Sequence, residues 1–100
     1  MVLEVANLDI KPGLEPEFEK AFDVAQKIIS TMLGYGWHEL QRCLENSSRY
    51  ILLVSWATLE DHTVGFRGSP QYQEWSALLH DFYDPLPQVL HFESMFSNRR

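Results

Sequence analysis

The sequence predicts an α+β fold of the ferredoxin-like kind, with element order β-α-β-β-α-β and one four-stranded antiparallel sheet. Three observations predict it. Residues Val2 to Ile10 alternate in polarity with a period of two, as a half-buried strand does. Phe18, Ala21, Phe22, Ala25, Ile28, Ile29 and Met32 then recur at three- and four-residue spacing, which is one face of a helix. Two further strand-like runs, a second helical region and a last strand complete the order.

In the first strand, Leu3, Val5, Asn7 and Asp9 point one way, and Val2, Glu4, Ala6, Leu8 and Ile10 the other. Lys11-Pro12-Gly13 breaks it. The helix is expected over Leu14 to Met32, with Pro16 tolerated in its first turn and Glu15, Glu17 and Glu19 favouring the positive end of its dipole. Gly34-Tyr35-Gly36 ends it. Trp37 to Leu44 and Arg49 to Trp56 read as strands joined by a turn at Glu45-Asn46-Ser47-Ser48. The run Tyr50 to Val54 is apolar on both faces, as suits a central strand. Thr58 is a good N-cap for a short helix carrying His62. Ser69-Pro70 opens a second helix as N-cap and first residue, running to about Tyr83 with Tyr72, Trp75, Leu78, Leu79 and Phe82 on one face. Pro85 and Pro87 stop it, and Val89 to Phe96 is the final strand.

A chain of 100 residues makes one domain, 1–100, able to bury a single core without staples. A net charge of −6 with eight Lys+Arg leaves no footprint for nucleic acid. The single cysteine, Cys43, excludes an internal disulfide and reads as a small apolar residue on a strand. The four histidines lack metal-ligand spacing, so no metal is expected. No segment has the pattern of a leader or a membrane span, and the expected location is cytoplasmic. Both sheet faces are apolar while the helices form one layer. The uncovered face is expected to pack sheet against sheet in a two-fold homodimer, the alternative being a monomer with an apolar sheet surface.

The candidate site lies around residues 54–80. His62 shares a stripe with Leu59 and Phe66 and points inward, where its ordinary pKa suits proton transfer; the alternative is a core histidine satisfied by a backbone carbonyl. Trp75 sits at the centre of the second helix's stripe, as a flat wall for a planar ligand or as ordinary core, with Tyr72 adding a hydroxyl. Trp56 ends its strand where it can cap a pocket or anchor a dimer. Asn7 interrupts the Leu3/Val5 face, where a buried amide would donate to a substrate oxygen or bond a nearby loop. His80 and Arg67 are expected near solvent or at a rim. His38 and His91 have no clear facing, and either can belong to the dimer surface.

Three motifs carry a family resemblance: Leu33-Gly-Tyr-Gly-Trp-His38, Ser55-Trp-Ala-Thr-Leu-Glu-Asp-His62 and Ser69-Pro-Gln-Tyr-Gln-Glu-Trp75. Through them the chain resembles the antibiotic biosynthesis monooxygenase (ABM) domain family over about Val2 to Phe96, which implies a dimeric α+β barrel. In the family's heme-degrading branch an Asn, a Trp and a His serve the site. Asn7 matches the first, but Gly65 and Trp75 stand about where the other two fall. The cofactor-free branch fits better, and no cofactor is expected. The resemblance thus implies a monooxygenase oxidising a small aromatic or quinol-type substrate with O2. His62 is then the base or hydrogen-bond partner, Asn7 the donor to the oxyanion, and Trp75, Tyr72, Phe66, Trp56 and Leu79 the walls. The competing reading is a non-catalytic ligand-binding or structural dimer of the same fold.

Overall fold

The computed structural model describes all 100 residues. Strand β1 (Val2–Asp9) is followed by helix α1 (Glu15–Ile29), strands β2 (Tyr35–Arg42) and β3 (Arg49–Trp56), a π-type helical turn (Asp61–Phe66), helix α2 (Pro70–Leu79), a short 3-10 turn (His80–Phe82) and strand β4 (Val89–Phe92). The sheet order is β2-β3-β1-β4, with every neighbouring pair antiparallel. This is the expected ferredoxin-like arrangement.

The core forms where the helices meet one sheet face. Ala6 and Leu8 from β1, Ile10 just after it, and Tyr50, Leu52, Val54 and Trp56 from β3 pack under Phe18, Phe22, Ala25 and Ile29 of α1 and Trp75 and Leu79 of α2. The helical period of three to four and the strand period of two therefore converge on one apolar layer, whose burial drives the fold.

The ends of α1, β2 and β4 differ from expectation, and α2 gives way to the 3-10 turn after Leu79 rather than running to Tyr83. Helix α1 stops at Ile29 rather than Met32. The hydroxyls of Ser30 and Thr31 turn back onto the carbonyls of Lys27 and Ile28 at 3.1 and 2.7 Å, and Gly34 then takes φ +84°. Strand β2 starts two residues early and ends at Arg42, because Tyr35 already pairs with Trp56, with a register shift before Trp37. Strand β4 is four residues long, not eight. It runs antiparallel to β1, so each step along it moves toward the β1 N-terminus; Phe92 faces Leu3, and little of β1 remains to pair with. Met95 and Phe96, expected on that strand, are 75% and 95% exposed.

The register also decides which way the histidines face. His38, Val54, Glu4 and His91 form one row across the sheet, on the side covered by the helices. His38 bonds Tyr35 Oη at 2.6 Å and Gln26 Oε1 at 2.9 Å, so neither it nor His91 belongs to the open sheet face.

Candidate functional site

The site is built on the inward parity of β1. Glu4 shares its face with Ala6 and Leu8, between Val54 of β3 and His91 of β4, and is only 6% exposed. Thr58 and Asp61 cap each other reciprocally: the Asp61 N–H donates to Thr58 Oγ1 at 3.1 Å and the Thr58 N–H to Asp61 Oδ2 at 3.2 Å. The helical stretch that follows widens to π geometry, with the Arg67 N–H bonded to the His62 carbonyl at 3.1 Å. His62 and Phe66, four residues apart, then both face the sheet and are buried. Ser69 caps α2 through the Tyr72 N–H at 3.1 Å, and this orients Tyr72 and Trp75 toward the same place.

A line of hydrogen-bonding groups results. The Trp56 indole Nε1–H donates to Glu4 Oε1 at 3.0 Å. His62 Nε2 lies 3.3 Å from the same oxygen, and His62 Nδ1 is 2.7 Å from His91 Nε2. The Glu4–His62 contact has ion-pair geometry, but burial dominates its electrostatics. Burial, helped by the Arg67 and His91 charges, brings His62 down to about 3, so its imidazole is neutral at pH 7. Burial pushes Glu4 up, while the Trp56 hydrogen bond and the Arg67 guanidinium pull it back. Burial and Arg67 also lower His91. With both rings neutral, one hydrogen occupies the contact between them, and one ring donates while the other accepts.

Beside this line is a cavity of about 60 Å³, lined by Glu4, His62, Phe66, Arg67, Tyr72 and Trp75 among others. That volume holds about two waters. It is smaller than the several hundred Å³ of a usual small-ligand pocket, so a substrate of ring size enters only if the lining moves. Arg67 and His80 are the exposed members of the lining, which places them on its solvent side.

The structure brings together His62, Phe66, Tyr72 and Trp75, as the sequence reading expected. His62 is not satisfied by a backbone carbonyl; its partners are Glu4 and His91. Two expected wall residues stand behind the lining. Trp56 is fully buried and stacks on His62, and Leu79 is fully buried in the core. Asn7 is placed elsewhere. Three residues from Glu4 along a strand, it has the opposite parity and lies exposed on the open face, in a separate depression with Gln41 and Cys43. The expected convergence of Asn7 with His62 does not occur within this chain. Sequence reasoning missed Glu4 and His91. A lone carboxylate on an otherwise apolar strand face was the available signal for Glu4. His91 carries none, because only the β1–β4 register brings it to Glu4.

Fold and site together define a small ferredoxin-like domain with a buried carboxylate–imidazole pair beneath its helices. A family model described as antibiotic biosynthesis monooxygenase matches residues 1–78, and the chain belongs to that family. It is 60% identical over 95 residues to the uncharacterized protein YczJ of Bacillus subtilis (strain 168), covering 95% of this chain and 100% of that one. A candidate antibiotic biosynthesis monooxygenase from Bordetella bronchiseptica has a solved structure with a TM-score of 0.91 and 33% identity, covering 95% of this chain and 97% of that one. SnoaB from Streptomyces nogalater, a cofactor-independent oxygenase, shares the fold with a TM-score of 0.84 at 17% identity, over 96% and 94% of the two chains.

Proposed function

We propose that the chain is a cofactor-independent monooxygenase that oxidises a small aromatic or quinol-type substrate with O2 in the cavity beside Glu4 and His62. The observation that carries this reading is the buried Glu4–His62 contact at 3.3 Å, opening onto a cavity walled by Phe66, Tyr72 and Trp75. A buried carboxylate and imidazole in contact, next to aromatic walls, suit removal of a proton from a weakly acidic ring substrate. In an anthrone-type substrate the resulting carbanion reacts with O2. One oxygen atom becomes the product carbonyl and the other leaves as water, so that overall the substrate carbon loses two hydrogens and water gains two. Exclusion of water strengthens every charge interaction that stabilises the anion. Family membership and the fold shared with a cofactor-independent oxygenase support the reading.

The assembly proposed with it is a homodimer through the open sheet face, where Leu3, Val5, Ile51, Leu53, Leu90 and Phe92 share one side. Leu90 and Phe92 are about half exposed in the single chain, as an uncovered interface would leave them. No helix is long and apolar enough to cross a membrane.

One observation favours a second reading, a non-catalytic small-ligand-binding or structural dimer: at about 60 Å³ the cavity admits no ring-sized substrate until its lining moves. Oxygen uptake by metal-free, flavin-free protein with a panel of anthrones and quinols, beside His62→Ala, separates the two. Uptake that disappears in His62→Ala is expected. No uptake across the panel, with a bound aromatic ligand detected by calorimetry, establishes the non-catalytic reading instead.

A further inference from the structure

Glu4 stands among apolar neighbours: Ala6 and Leu8 share the inner face of β1 with it, and a carboxylate buried in such a layer is costly unless it is partnered. The residue nevertheless reaches the cavity and holds two partners of different kinds. Trp56 can only donate to it. His62 can donate or accept, and leads on to His91 at 2.7 Å. His91 lies on the edge strand β4 and is only half-buried, so the line that begins at the cavity ends near water. The groups facing Glu4 are His62 from the π-type turn, Arg67 just after it, His91 from β4 and Tyr83 from the segment before β4.

We propose that Glu4 takes the substrate's proton and that the His62–His91 pair carries that proton from the cavity to solvent. This rests on the oxidation proposed above. The substrate's C–H or O–H bond breaks, and its electron pair stays behind as a carbanion or phenolate. The proton joins a carboxylate oxygen of Glu4. It then passes to His62 Nε2 as the hydrogen on His62 Nδ1 moves to His91 Nε2, and His91 releases one proton to water. Glu4 ends ionised and both rings end neutral, so the substrate anion is the one charge added to the site before the reaction with O2. Glu4 is the catalytic residue of this step. His91, which touches no substrate, acts through His62 as a positioning and relay residue.

Two measurements test it on the full chain. The first is 15N NMR of the histidine rings in wild type and Glu4→Gln. The expected result is that E4Q shifts the ring nitrogens of His62 and also those of His91, while His38, held by Tyr35 and Gln26, stays put. His91 nitrogens unmoved by E4Q would overturn the connected line. The second is oxygen uptake. E4Q is expected to lower kcat about 100-fold or more, the scale of general base catalysis. His91→Phe is expected to lower kcat in weak buffer without changing KM, and added imidazole is expected to restore it. A purely structural role for His91 gives a loss that imidazole does not repair. If E4Q fails to fold, the His91→Phe rescue decides alone. E4Q at wild-type kcat, or His91→Phe without rescue, sinks this proposal while leaving the oxidation standing. A wild-type protein that consumes no oxygen sinks both.

Discussion

The imidazole of His62 lies nearly flat on the indole of Trp56, with ring centroids 5.3 Å apart and planes 13° from parallel. The same indole donates to Glu4, so Trp56 fixes both members of the carboxylate–imidazole pair at once. Trp56→Phe keeps a ring under His62 but deletes the donor that favours ionised Glu4. Its carboxyl is then expected to titrate at higher pH than in wild type, read from the protonated carboxyl band in infrared spectra. The lost hydrogen bond is expected to cost about 1–2 kcal/mol in urea unfolding.

His62 makes stability depend on acid. The unfolded chain binds a proton at His62 through pH 6.5, whereas the folded chain does so only near pH 3. Between those values the unfolded state holds more protons, so stability falls as pH falls, by about 2 kcal/mol at pH 5 from this group. Glu4, raised on folding, acts oppositely: its contribution is complete below pH 4.5 and is lost as pH rises through its folded value. His62→Gln is therefore expected to lose less stability than wild type between pH 7 and pH 5. Equal slopes in paired denaturation series would remove His62 from the acid response.

Trp75 serves as wall and core together. It is 7% exposed and meets Phe22 and Phe66 edge-on, with centroids 5.9 and 5.7 Å away. Trp75→Ala is expected to cost about 3–5 kcal/mol and to enlarge the cavity. Denaturant midpoints check the first effect. Tighter or newly detectable binding of a small aromatic such as a quinol checks the second.

Gly34 faces Asp61 across the start of the π-type turn. A Cβ on Gly34 would overlap the Asp61 carboxylate, and its φ of +84° suits glycine alone. Gly34→Ala is expected to cost about 2–3 kcal/mol, from backbone strain and the displaced cap on Thr58. In an Asp61→Ala background the same substitution is expected to cost less, because the overlap and the cap are already gone. Equal costs in both backgrounds would show that Asp61 does not constrain Gly34.

The sequence by itself determined what depends on neighbours in the chain. The two-residue alternation of β1, the helical stripe of α1, the limits of β3 and the Ser69 cap are short-range patterns, and each appears where it was expected. The inward facing of His62, Phe66, Tyr72 and Trp75 was legible for the same reason. Tertiary structure decided what depends on partners distant in sequence. β4 is short because its partner runs out at Leu3. Asn7 faces away from His62 because it has the opposite strand parity to Glu4 and the helices cover only the Glu4 side of β1. Glu4 and His91 stand 87 residues apart, yet the β1–β4 register pairs them, and the π-type turn lowers His62 between them. Periodicity assigns a side chain to a face of its own element. Strand pairing and the packing of helices on the sheet decide which other side chains it meets there, and that choice makes this site.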